Sequence, residues 1–122
     1  MTTQTDARLR PAVEADLAEV ERLLSSAGLP TAGVGEHLGT FIVAEDAGAL
    51  VGVVGLEVHG EYALLRSATV AGPWRGRGLG RRLVKQIVAA AETRGIRALY
   101  LLTPRARSRR PGATTTTTAS IA

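Results

Sequence analysis

At 122 residues the chain has room for one domain, and a hydrophobic fraction of 45% suits a packed globule, although aromatics make up only 3%. It contains no cysteine, which excludes disulfides and thiolate metal sites. The N-terminal stretch MTTQTDARLR is polar, unlike a secretory leader, so a cytoplasmic protein without membrane contact is expected. The net charge of +4 does not call for nucleic acid: residues 1–104 hold 11 basic and 11 acidic side chains, and the excess lies in four tail arginines (Arg105, Arg107, Arg109, Arg110) with no aromatic ring beside them for base stacking.

In chain order, ARLRPA (7–12) reads as a short strand closed by Pro11. A helix is predicted over 17–27. Leu17, Val20, Leu23, Leu24 and Ala27 form one apolar stripe, Asp16 and Glu19 have capping-box spacing, and Gly28 marks the stop. LPTAGVGEHLG (29–39) is a loop with space for one helical turn. Strands are predicted over 40–46, 49–59 and 62–70, joined by the short turns AG and GE into an antiparallel meander; glycines inside the middle strand point to bulges or close backbone approach. Leu79, Leu83, Val84, Ile87, Val88 and Ala91 then recur at helical spacing up to Gly95, and IRALYLLT (96–103) is a strongly apolar strand. Strand, helix and strand in that order make a crossover, which sets 97–103 parallel to 62–70. The fold class is therefore α/β, a mixed sheet with an antiparallel meander and one parallel pair, flanked by helices.

Between the last meander strand and the long helix stands GPWRGRGLGRRL (72–83), with four glycines and four arginines in twelve positions. A helix N-terminus presents backbone N–H groups without partners and the positive end of the helix dipole, and glycine lets the backbone approach an oxyanion closely. The stretch thus reads as a phosphate cradle, against the plainer alternative of a loop followed by a basic helix end. It has no G-K-[ST] ending, so it is not a P-loop, and GRGLGRR lacks the final glycine of G-x-G-x-x-G, which counts against a dinucleotide fold.

What it does match is R-x-x-G-x-G, with Arg75, Gly78 and Gly80, directly after a strand ending in ATV. In that setting the motif resembles the coenzyme-A loop of the GNAT acetyltransferase superfamily, and the likeness runs over residues 7–103. Within the superfamily, GLEVHGEYALLRSATVAGPWRGRGLGRRLV and ALYLLT look most like the arsenic-resistance N-acetyltransferases. The resemblance implies acetyl transfer from acetyl-coenzyme A, as co-substrate, to a small-molecule amine. It implies pyrophosphate binding by the backbone amides of Arg75, Gly76, Arg77, Gly78, Leu79 and Gly80. It also implies that Ala68, Thr69 and Val70 hold the pantetheine arm, which lies like an extra strand where two parallel strands splay apart. No metal is implied, and a homodimer is the assembly to test. Arg81, Arg82 and Lys85 stand near the phosphates as screening charge or as a solvated helix face, and Trp74 covers the loop or packs.

Acetyl transfer needs a neutral amine beside the thioester and a proton for the departing thiolate. Glu57 is the candidate base, sharing a strand face with His59 at i, i+2; each has a plain alternative as a solvated residue near a hairpin end. Arg66, a charge inside an apolar strand, needs a partner and is expected to orient an acidic substrate or to pair with Glu57. The only histidines, His37 and His59, lie too far apart in sequence to show metal-ligand spacing.

From Pro104 the character changes. PRARSRRPGATTTTTASIA has no apolar periodicity, so 1–103 is expected to be the acetyltransferase-like domain and 104–122 a disordered tail. The family continues with a helix, commonly carrying a tyrosine that protonates coenzyme A, and further strands; here these are expected to be absent, since both tyrosines, Tyr62 and Tyr100, come earlier. Threonine codons begin AC, so a frame displaced by one base turns TTTTT into codons for Tyr, Asp, Asn or His, and the tail is expected to be a frame-shifted reading of that missing part. Weak activity follows, with a non-catalytic acyl-coenzyme A binding module as the alternative.

Overall fold

The computed structural model describes residues 7–104 and 114–120. Its elements are β1 (Arg8–Pro11), α1 (Leu17–Ser26), α2 (Val34–His37), β2 (Phe41–Asp46), β3 (Ala49–His59), β4 (Tyr62–Val70), α3 (Leu79–Thr93), β5 (Ala98–Pro104) and β6 (Thr114–Ser120). The six strands form one sheet whose spatial order is the chain order. Every neighbouring pair is antiparallel except β4 and β5, which are parallel and joined through α3. The mixed sheet with a meander and one parallel pair is therefore the architecture adopted.

Each face of the sheet has its own core. Leu79, Leu83, Ile87 and Ala91, one residue per helical turn, turn α3 onto Ala44, Val54, Leu56, Ala63 and Leu99. On the opposite face α1 and α2 lay Val20, Leu24 and Val34 against Phe41, Val43 and Val53. Two glycines of β3 make these contacts possible. A Cβ at Gly52 would stand 2.9 Å from Leu83 Cδ1, and one at Gly55 would overlap the buried ring of Phe41, its cross-strand partner.

Two sequence expectations change. Asp16 does not cap α1. Its carboxylate accepts from the Val13 N–H and takes a two-pronged contact from Arg10, while Glu19 reaches across to accept from the Leu50 N–H at 3.0 Å. A short 3-10 turn over Glu14–Asp16 starts the helix instead. The second change concerns the tail. Residues 114–120 are not without structure but pair antiparallel with β5 in an unbroken register, Ala98 opposite Ser120 through Pro104 opposite Thr114. A strand thus does follow β5. The expectation of disorder weighed only apolar burial, whereas the outer edge of β5 offers a row of hydrogen-bonding groups, and β-branched threonine suits a strand. The rest of the expected tail, and the position of the family's next helix, lie outside the described residues.

Candidate active site

β4 loses one of its two partners halfway along its length. Its parallel pairing with β5 runs from Tyr62 opposite Ala98 to Leu65 opposite Leu101 and stops there, while its antiparallel pairing with β3 continues to Val70. At this point β4 also carries one extra residue against β3: the register jumps from Gly55 opposite Arg66 to Val53 opposite Thr69. Ser67 inside this bulge has φ 64, a left-handed conformation seldom taken by a residue with a side chain. The result is a cleft between β4 and β5 whose β4 wall is Ser67 to Val70, with strand hydrogen-bonding groups turned toward it. Beside it, a cavity of about 360 Å³ is bounded by Ala68, Thr69, Val70, Arg75 and Gly80 over a floor of Val53 and Leu83.

The glycine loop closes the far end. Gly76 and Gly78 have φ of 77 and 83, and Gly78 is the N-cap of α3 without any side-chain cap. The helix's own hydrogen bonds begin with the Arg82 N–H donating to the Gly78 carbonyl, so the amides of Leu79, Gly80 and Arg81 precede the ladder. The loop arginines have partners within the protein. Arg75 Nε donates to the Val70 carbonyl at 3.2 Å, and the Arg77 guanidinium lies 5.1 Å over the Trp74 ring, which packs on the edge of the core. Arg82 donates to the Ala7 carbonyl and so ties α3 to the start of β1 rather than facing the loop. Arg81 and Lys85 are exposed. A strand edge leading to a helix N-terminus with free amides suits a long ligand whose amide-bearing arm ends in phosphates.

Across the sheet, on the face shared with α1 and α2, the structure brings Glu57 and Arg66 together. Arg66 Nη1 donates to Glu57 Oε1 at 3.3 Å, Nε to the Ser67 hydroxyl at 3.0 Å, and Nη2 to the Pro30 carbonyl at 3.5 Å. Glu57 Oε2 lies 2.9 Å from His59 Nε2. Burial pushes the Glu57 carboxyl up, but the hydrogen bonds from His59 and Arg66, with the charges of His37 and Arg66, outweigh it and hold it below its ordinary value. An ionised carboxylate only accepts, so the His59 Nε2–H is the donor. Arg66, expected to orient an acidic substrate or to pair with Glu57, makes the pair.

The acetyltransferase (GNAT) family model matches residues 7–110 of this sequence. The chain belongs to the GNAT acetyltransferase family. Among solved structures of this family, Escherichia coli YhbS in complex with CoA superposes with a TM-score of 0.79 at 22% identity, covering 100% of this chain and 85% of that one. A GNAT acetyltransferase from Brucella melitensis in complex with acetyl-CoA gives 0.73 at 19% identity, over 98% and 90%. Rv2747 from Mycobacterium tuberculosis, in complex with CoA and NLQ, gives 0.71 at 22% identity and covers 79% of this chain; the present chain spans only 64% of it, and 26% of the Neisseria gonorrhoeae N-acetylglutamate synthase structure. No curated protein matches the sequence. Among the described residues no helix is long and apolar enough to cross a membrane.

Three residues of this candidate site escaped sequence reasoning: His37 and Tyr62 stand against His59, and Tyr100 stands against Tyr62. Tyr62 was within reach, because a two-residue turn places it directly opposite His59. Tyr100 needed the parallel register of β5, and His37 needed the seating of α2 on the sheet; no local pattern carries either.

Proposed function

We propose that the chain transfers the acetyl group of acetyl-coenzyme A to a small-molecule amine. The observation that carries this reading is the continuity of two features on β4: the splay from β5 after Leu65, and the left-handed glycine loop that delivers the chain to the N-terminus of α3. In this reading the amides of Arg75, Gly76, Arg77, Gly78, Leu79 and Gly80 bind the pyrophosphate, and Ala68, Thr69 and Val70 pair with the pantetheine arm. Glu57 and Arg66 are the charged centre of the acceptor site on the other face. Glu57, depressed by two hydrogen-bond donors, serves better to hold an ammonium group or a water than as a strong base. An amine held as the ammonium first gives one proton to solvent; the neutral amine then attacks the thioester carbonyl, a C–N bond forms, the C–S bond breaks, and the second proton lost by nitrogen ends on the coenzyme-A sulfur.

The likeness to arsenic-resistance acetyltransferases is the narrower form of this reading, and growth of an arsenic-sensitive strain expressing the chain tests it. A cytoplasmic homodimer is the state proposed for the working protein. The second reading is an acyl-coenzyme A binding module without turnover. Calorimetry with coenzyme A and thiol release from acetyl-coenzyme A over an amine panel decide between them. Binding with turnover supports the enzyme, binding alone the module, and no binding refutes both.

A further inference from the structure

Rings are scarce in this chain: one Phe, one Trp, two Tyr and two His. Both tyrosines and both histidines nevertheless meet in one place. His59 stacks on Tyr62 with centroids 5.3 Å apart and 25° between planes, Tyr100 meets Tyr62 edge-on at 5.6 Å, and His37 stands 6.3 Å from His59. They arrive from α2, from the β3–β4 hairpin and from β5. Packing does not account for the gathering. None of the four belongs to either core cluster, and Tyr62 is 43% exposed. Glu57 stands beside these rings, bonded to His59.

Arg66 does not compete for an incoming ligand. Its side chain is only 14% exposed, and its three nitrogens are directed to Ser67, Glu57 and Pro30. What remains open is a weakly polar cluster of rings, one stacked pair flanked by a tilted and an edge-on ring, with one carboxylate beside it. Such a surface attracts a cation to the carboxylate and to ring faces, and attracts another ring by stacking. The spacing agrees with both attachments coming from one small molecule. His59 is opposite Tyr62 and Glu57 is opposite Leu64, so Tyr62 is a diagonal neighbour of Glu57, about 7–8 Å away between backbones. An ammonium group and an aromatic ring joined by a two-carbon linker cover that distance.

We propose that His37, His59, Tyr62 and Tyr100, with Glu57, form the acceptor subsite, and that its ligand is an arylalkylamine whose ammonium group meets Glu57 while its ring lies against the rings of the cluster. The fate of the bound amine rests on the acetyl-transfer reading; its binding does not.

The test compares phenethylamine with 2-cyclohexylethylamine, which keeps the charge and nearly the shape but lacks the π-system. Both are titrated by calorimetry into the full chain loaded with coenzyme A, and both are offered with acetyl-coenzyme A in a thiol-release assay. Phenethylamine is expected to bind about five-fold more tightly, the scale of one aromatic contact. Tyr62→Ala and Tyr62→Leu abolish that preference, Tyr62→Phe keeps it, and Glu57→Gln weakens both amines alike. Equal affinity of the two amines for the unaltered chain, or a preference that survives both Tyr62→Ala and Tyr62→Leu, overturns the proposal. Selective binding without thiol release sinks the acetyl-transfer reading and leaves the subsite standing; thiol release at equal rates, with no binding preference, does the reverse.

Discussion

Three glycines of the phosphate loop separate backbone strain from steric crowding. A Cβ added at Gly72, Gly76 or Gly78 would meet no atom within 4 Å, so none of the three is needed for space within the protein. They differ in φ: Gly76 and Gly78 are at 77 and 83, and Gly72 is not among the positive-φ glycines. Holding an alanine in the left-handed region costs about 1–2 kcal/mol. If coenzyme A selects the loop as seen, that strain returns as a loss of affinity of about 5- to 30-fold for Gly78→Ala, and similarly for Gly76→Ala. Gly72→Ala carries no such strain and leaves affinity unchanged, with thermal stability equal or slightly raised because the unfolded chain loses freedom. Gly78→Val is expected to weaken binding far more than Arg94→Ala, since Arg94 caps the opposite end of the 15-residue α3, about 22 Å away. Calorimetric titration of coenzyme A into the variants, with their melting temperatures, provides the measurement. A loss for Gly72→Ala equal to that for Gly78→Ala would refute the reasoning, as would a Gly78→Ala protein that binds normally.

Gly55→Ala is expected to destabilise the protein by about 1–3 kcal/mol through overpacking against Phe41, and Phe41→Leu in the same chain to recover part of that loss; urea denaturation of the single and double variants checks the coupling. Because the folded Glu57 carboxyl is depressed, its contribution to stability is complete above the unfolded carboxylate value and disappears as pH falls through the folded one. Melting temperatures of Glu57→Gln should therefore fall less steeply with acid than those of the unaltered chain, and parallel curves would contradict this. Sequencing the source DNA past codon 103 tests the frame-shift proposal: an early stop or a polar, non-amphipathic reading in the alternative frame ends it.

How far a sequence discloses its site depends on the range of the interaction. The glycine loop was legible because its chemistry is local: positive φ, a helix N-terminus and a preceding strand lie within a dozen residues. The meander was legible from two short turns, which fixed the facing of Glu57 and His59 and, through the hairpin register, that of Tyr62. The bulge at Ser67 was not, since a serine in the left-handed region leaves no compositional mark; it emerges only when β3 and β4 are paired. Arg82 looked like screening charge or a solvated helix face because of its neighbours in the chain, yet its partner is Ala7, 75 positions away. Asp16 and Glu19 matched a capping pattern and were instead drawn to Arg10 and to the Leu50 amide, competing partners visible only in the assembled sheet.

The sheet whose spatial order repeats the chain order has a consequence for how the molecule is made. No strand must be threaded between two others already joined, so each can dock on an edge left open by its predecessor as the chain leaves the ribosome. The hairpins β2–β3 and β3–β4 close over two-residue turns and are the fast steps. Setting β5 beside β4 requires closing the whole span of α3 and is slower. Since β5 supplies both the second wall of the cleft and Tyr100, both are added in that one late event. A chain stalled before it would carry a finished meander and the glycine loop, with the cleft open on one side and Tyr100 missing.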